Sequence, residues 1–135
     1  MDAQKATLFQ LVDGNKQFRI PIYQRAYSWR QEQCSRLLED VLTIASATPG
    51  ASHFLGSVVY VADGNFMAAG VNALLVIDGQ QRLTTLSLML LALRRLALDG
   101  KDVGAMPKSI GNLYLFNGNE EEGSEDFIKL RLTRA

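Results

Sequence analysis

Ala73-Leu74-Leu75-Val76-Ile77-Asp78-Gly79-Gln80-Gln81-Arg82-Leu83-Thr84-Thr85-Leu86 is the stretch on which the fold turns. Its first five residues form a short continuous apolar run, the pattern of a strand covered on both faces. From Gln80 to Leu98 nearly every residue is a good helix former, and Asp99-Gly100 supplies a C-terminal glycine stop. A strand therefore hands over to a long central helix across Asp78-Gly79. Such a turn aims backbone N–H groups and the positive end of a helix at one point, and that point attracts phosphate.

Each residue of the turn suits that chemistry. Gly79 permits close backbone approach or an unusual dihedral. Arg82 offers a bidentate fork for phosphate oxygens. Gln80 and Gln81 can donate hydrogen bonds or orient water, and Asp78 can hold a magnesium ion or polarise water. The same residues also read as an Asp-x-x-Gln helix cap, with Arg82 paired to a surface carboxylate. Spacing alone leaves both readings open.

Working outward toward the N-terminus, Leu8, Leu11 and Val12 stand at helical spacing and predict a short helix over 4–12, stopped by Asp13-Gly14-Asn15. Phe18-Arg19-Ile20 reads as extended chain entering Pro21. Ser28-Trp29-Arg30-Gln31 has the Ser-x-x-Gln spacing of a capping box, and Leu37, Leu38, Val41, Leu42 and Ala45 then form an apolar stripe. This predicts a helix over 29–46, ended by Thr48-Pro49-Gly50. Residues 54–62 are rich in valine and aromatics, as in a strand, and Asp63-Gly64-Asn65 reads as a turn.

On the C-terminal side, residues 99–126 are rich in Gly, Asn and acidic side chains, which predicts solvated loop. Phe127 to Thr133 alternates apolar and basic residues, as a half-exposed strand does. A continuation after Ala135 that pairs with this strand is expected. The fold class is mixed α/β, in a single domain over 1–135. Helices near 4–12, 29–46 and 80–98 pack on a small sheet that includes 54–62 and 73–77.

A chain of 135 residues, 47% hydrophobic and 21% charged, can bury a core without staples. Fourteen Lys and Arg balance fourteen Asp and Glu, so there is no global positive field to drive nucleic-acid binding. Cys34 is the only cysteine and His53 the only histidine, which excludes an internal disulfide and leaves too few soft ligands for zinc. No metal site is expected from the residues, and the composition fits a reducing cytoplasm. The N-terminus lacks the layout of a secretory signal. The apolar run Leu83 to Leu93 falls well short of the roughly 20 residues of a membrane span, so it is read as a buried helix and no membrane is expected as a partner.

A second constellation is Ile20-Pro21-Ile22-Tyr23-Gln24-Arg25-Ala26-Tyr27-Ser28-Trp29. Gln24 and Arg25 can meet phosphate or ribose, and Tyr23, Tyr27 or Trp29 can stack on a base or sugar. The alternative is that the aromatics plug the core and Arg25 makes a buried pair. His53, ahead of Phe54-Leu55-Gly56-Ser57, is a candidate for the same cleft, although no second base is visible beside it. Cys34 has no neighbouring histidine to mark it as a nucleophile. Neither a P-loop nor a Rossmann glycine fingerprint is present.

Ile20 to Trp29 and Ile77 to Leu86 resemble the hallmark motifs of the N-terminal domain of GmrSD-type (type IV) restriction endonucleases, and His53-Phe54-Leu55-Gly56-Ser57-Val58-Val59 resembles a strand of the same family. The three occur in the expected order, and the resemblance covers roughly residues 7–98. It implies a fold related to ParB and sulfiredoxin, with binding and hydrolysis of a nucleoside triphosphate such as GTP, together with Mg²⁺, at the Asp-Gly-Gln-Gln-Arg motif. The resemblance further implies that this activity is coupled to attack on modified phage DNA. On this basis Asp78, Gln80, Gln81 and Arg82 are candidate catalytic residues. Gly79, Gln24, Arg25, Tyr23, Tyr27 and His53 are candidate nucleotide-binding residues. DNA is then a partner through the full-length protein or a nuclease domain or subunit, since an HNH-type nuclease needs histidines this chain does not have. A homodimer is left open. The alternative function is a non-catalytic ParB-like module that binds DNA or protein through the same turn.

Overall fold

The computed structural model describes residues 3–21, 27–46, 55–65 and 68–133. In chain order the elements are α1 (Leu8–Val12), β1 (Lys16–Pro21), α2 (Gln31–Ala45), β2 (Val59–Ala62), β3 (Asn72–Asp78), α3 (Gln80–Leu98), α4 (Pro107–Ile110), a π-helical turn (Gly111–Leu115) and β4 (Leu130–Thr133). The strands form one sheet in the order β2-β3-β1-β4. β1 runs parallel to both β3 and β4, and β2 is antiparallel to β3. The class is mixed α/β, as the patterning predicts.

Each element starts where its local chemistry allows. α1 begins at Leu8 rather than Gln4 because Thr7 and Gln10 close a reciprocal capping box there. α2 begins at Gln31, two residues later than predicted. Ser28 is not its cap. Gln33 Oε1 instead accepts the Arg30 N–H at 2.9 Å, and the Ser28 N–H donates to Gln81. Only Leu37 of the predicted stripe is fully buried on α2, and Leu38 and Leu42 are exposed. β2 is confined to residues 59–62, with residues 55–58 leading into it as irregular chain. β3 is an interior strand, yet Ile77 is 47% exposed, so the run is not covered on both faces.

The core consists of Val12, Phe18, Ile20, Val76 and Leu83, with Leu8, Leu11, Val58, Leu74, Tyr114 and Leu130 packed against it. It lies where β1, β3, α1 and the first turns of α3 meet. Phe18 meets Tyr60 edge to face at 5.3 Å. α3 is therefore buried at its start but not along its length: Leu88, Leu91, Leu93, Leu96 and Leu98 are all exposed, against the expectation of a buried helix. Among the described residues no helix is long and apolar enough to cross a membrane.

Residues 99–126 are not simply a solvated loop. They contain α4 and the π-helical turn, whose Ile110 and Leu115 are buried. Phe116 stacks on Phe127 at 4.7 Å, and the Arg94 guanidinium lies 5.2 Å from the Phe116 ring centre. Gly111 makes room for that ring, since a Cβ there would lie 2.9 Å from it.

A buried polar lattice ties this segment to β1. Gln17 Nε2 donates to Glu125 O and Ile128 O, and Asn117 Nδ2 donates to Lys16 O and Asp126 O. Lys129 is buried rather than solvent-facing, which breaks the predicted alternation: Ile128 and Leu132 are exposed, while Leu130 packs against the core. Its ammonium donates to Val12 O at 2.8 Å, to Gly14 O and to Asn117 Oδ1 at 3.0 Å. Three donors meet three acceptors, which makes the burial tolerable. Loss of solvent, reinforced by nearby Lys16 and opposed by Asp13, holds the Lys129 pKa below its usual value.

Candidate functional site

Asp78 ends β3 and Gln80 begins α3, so a single residue, Gly79, turns the chain from strand to helix. It does so at φ +88°, in the left-handed region. A Cβ at this position would lie 2.6 Å from Ser57 O and 3.0 Å from Val58 Cα. Glycine is thus required twice, by its dihedral and by the approach of the 55–58 segment.

Because Gly79 is the N-cap, α3 opens without a side-chain cap. The first intrahelical bond is Leu83 N–H to Gly79 O, at 3.0 Å. The backbone N–H groups of Gln80, Gln81 and Arg82 precede it and have no acceptor one turn back within the helix. Asp78 does not cap the helix in their place: its Oδ1 accepts the Gly79 N–H at 2.9 Å.

The three polar side chains of this first turn reach three different parts of the chain. Gln80 Nε2 donates to Ile77 O at 3.0 Å, fastening the turn to its own strand. Gln81 Oε1 accepts Ser28 N–H at 2.8 Å and Trp29 N–H at 3.3 Å, holding the segment before α2. Arg82 Nη1 donates to Ser57 O at 2.9 Å, and its guanidinium packs over Gly56, where a Cβ would overlap it. In the alternative reading of the motif, Asp78 and Gln81 cap the helix and Arg82 pairs with a carboxylate; these tethers stand in their place.

The tethers enclose a cleft of about 200 Å³ lined by Trp29, Ser57, Asp78, Gly79, Gln80, Gln81 and Arg82. That volume is below the roughly 300–1,000 Å³ of sites that enclose a drug-sized ligand. Gln80 is 5% exposed and its Oε1 has no hydrogen-bond partner among the described residues. Among the described residues no group of three or more His, Cys, Asp or Glu side chains could cage a metal ion.

The structure brings Asp78, Gly79, Gln80, Gln81 and Arg82 together on this cleft. Tyr27 does not line it. The Tyr27 hydroxyl lies 2.8 Å from Thr85 Oγ1 and 3.3 Å from Cys34 Sγ. Thr85 donates its one hydroxyl hydrogen to Gln81 O at 2.8 Å, so Tyr27 donates to Thr85 and accepts from the Cys34 thiol. Burial, and then the neighbouring thiol, push the Tyr27 phenol above its usual pKa. Tyr23, Gln24, Arg25 and His53 lie outside the described residues. Thr85 and Cys34, which anchor the Tyr27 segment, carry no sequence signal for that role, because a threonine one turn into a helix reads as an ordinary helix residue.

Two comparisons bear on this arrangement. Residues 8–134 match the family model described as "GmrSD restriction endonuclease, N-terminal domain". A search of curated proteins gave no match.

Proposed function

The chain belongs to the GmrSD restriction endonuclease N-terminal domain family, and from that premise we propose that it is the nucleotide-binding, NTP-hydrolysing module of a bacterial DNA-restriction defence protein. The observation that carries this reading is the uncapped N-terminus of the 19-residue helix α3, opening into a cleft walled by its own motif side chains. Phosphate oxygens are the ligand such a terminus suits.

In this reading the N–H groups of the first turn of α3 receive the phosphates. Arg82 uses one of the five guanidinium N–H donors on Ser57 O and brings its charge to the cleft wall. Asp78 is one carboxylate at the cleft, the kind of partial set that Mg²⁺ takes when phosphates complete its shell. Bound there, Mg²⁺ would neutralise developing charge on the phosphoryl oxygens. Gln80 Oε1, an acceptor without a partner among the described residues, suits the placing of a water. Arg25 and Gln24 complete the set by resemblance. We also read the sheet as ParB/sulfiredoxin-like, with β3 and α3 flanking the nucleotide-handling turn. Contact with DNA, and its cleavage, fall to the full-length protein or a nuclease partner.

The test is calorimetric titration of the chain with GTP, ATP, CTP and UTP in the presence of Mg²⁺, repeated with Asp78→Ala, Arg82→Ala and Arg82→Lys. Nucleotide binding that Arg82→Ala abolishes, and that Arg82→Lys restores only in part, is the expected result. No binding of any nucleotide to the folded chain, or undiminished binding and turnover in both alanine variants, refutes the reading. Duplex DNA binding that weakens steeply with salt and ignores nucleotide would mark the ParB-like binding module instead.

A further inference from the structure

We propose that Trp29 is the surface on which the base of the bound nucleotide stacks, and that Gln81 is the positioning residue that holds it at the cleft. The inference rests on the nucleotide reading above and adds to it the part of the ligand that the phosphate turn does not read.

Trp29 lines the same cleft as the phosphate turn, although it lies some fifty positions away in sequence. It is half-buried and absent from the core cluster of Val12, Phe18, Ile20, Val76 and Leu83, so the indole is not a core plug. The segment that carries it is stapled to α3 at two points. Gln81 Oε1 accepts the N–H groups of Ser28 and Trp29, and the Tyr27 hydroxyl bonds Thr85, whose own hydroxyl returns to Gln81 O. The Gln81 oxygen therefore serves two backbone donors, which sets this glutamine apart from Gln80 and gives it a holding task.

The geometry of the cleft calls for such a wall. With phosphates on the α3 N-terminus, about 200 Å³ leaves no room for a whole nucleotide, and the base must rest on the cleft's rim. A flat indole there offers a π-face that every base can use, and purines, with more ring area, use it better. Gln80 Oε1, which the reading above assigns to a water, gives a second, independent pointer to a ligand: it is buried, has no donor among the described residues, and belongs to a residue lining the cleft.

Trp29 is the only tryptophan in the chain, so its fluorescence reports on this residue alone. The experiment titrates the full chain, with Mg²⁺, against GTP and ATP and against inorganic tripolyphosphate, which carries the phosphates without a base. Nucleotide should quench Trp29 emission, while tripolyphosphate should compete without quenching. Trp29→Leu should weaken nucleotide roughly 5- to 100-fold and tripolyphosphate by about twofold at most, with Trp29→Phe recovering most of the loss. Gln81→Ala should abolish the quench while tripolyphosphate still binds, and Gln81→Glu, which keeps an acceptor for both N–H donors, should restore it. If Gln81→Ala does not fold, the Trp29 pair decides. Nucleotide that binds without changing Trp29 emission, or equally well in Trp29→Leu, overturns the inference and leaves the nucleotide reading standing. Failure of both nucleotide and tripolyphosphate to bind the wild-type chain removes both.

Discussion

A methyl group at residue 79 would meet Ser57 O at 2.6 Å on a backbone already at φ +88°, whereas one at Gly64, φ +105°, would meet nothing within 4 Å. Gly64→Ala should thus cost only the left-handed dihedral, about 1 kcal/mol, and Gly79→Ala that plus the clash, roughly 2–4 kcal/mol. Urea midpoints of the two variants check the difference; equal losses would mean that the 55–58 segment yields. Lys129→Met should lose about 3 kcal/mol, because three carbonyl acceptors lose a charged donor. The pH dependence has a definite sign. Lys129 releases its proton in the folded state below the ordinary 10.5, while the unfolded chain still holds it, so its contribution to stability grows as pH rises from the lowered value toward 10.5. Tyr27, raised above 10.0, acts in the opposite sense at the top of that range, so the difference between wild type and Lys129→Met isolates the lysine. A flat difference across that window would contradict the assignment. Gly79 was legible in the sequence because only the turn residue between an apolar run and a helix can be so placed. Lys129 was not, since alternation tells which residues share a face but not that carbonyls from α1 and Asn117 wait on the inner one.

At the level of elements, two hydroxyl residues with the same spacing to a glutamine have opposite fates. Thr7 accepts the Gln10 N–H and caps α1, whereas among the described residues only the backbone N–H of Ser28 is engaged, by Gln81. Thr7→Ala should therefore cost about 1 kcal/mol and Ser28→Ala should stay within about 0.5 kcal/mol. Thermal unfolding of both variants is the check, and a loss at Ser28 as large as that at Thr7 would restore the predicted cap. The sequence could not separate them. The pattern Ser28-x-x-Gln31 is followed two residues later by Arg30-x-x-Gln33, and the choice depends on a tether from α3, fifty residues on. The β3–α3 junction was legible for the converse reason: strand, glycine and helix are all specified within one local run. The elements hidden in residues 99–126 were not, because the exposed glycine, asparagine and acid there outnumber the few buried residues, Ile110, Gly111, Leu115 and Asn117, and composition does not tell which asparagine or glycine turns inward.

For the whole molecule, the sheet gathers the core to one end of α3 and leaves the other end apolar and exposed. Leu88, Leu91 and Leu98 stand on one stripe with Arg95 at spacings of three, four and three, and all three leucines are 41% exposed or more. Balanced charge gives the chain little net repulsion to offset this surface, and contiguous apolar patches of more than a few hundred Å² are unusual on soluble monomers. The apolar run Leu83 to Leu93, which includes Leu88 and Leu91, reads as buried because a mostly apolar helix normally is; exposure depends on what the rest of the fold reaches, and β1, β3 and α1 cover only the first turns. Leu91→Lys with Leu98→Lys decides between these views, since lysine keeps nearly the helix propensity of leucine. If the stripe is exposed in solution as it is in the structure, the double variant keeps its melting temperature and binds less of a hydrophobic fluorescent dye than the wild type. If the stripe is packed, two buried charges would cost several kcal/mol, and the melting temperature would fall steeply.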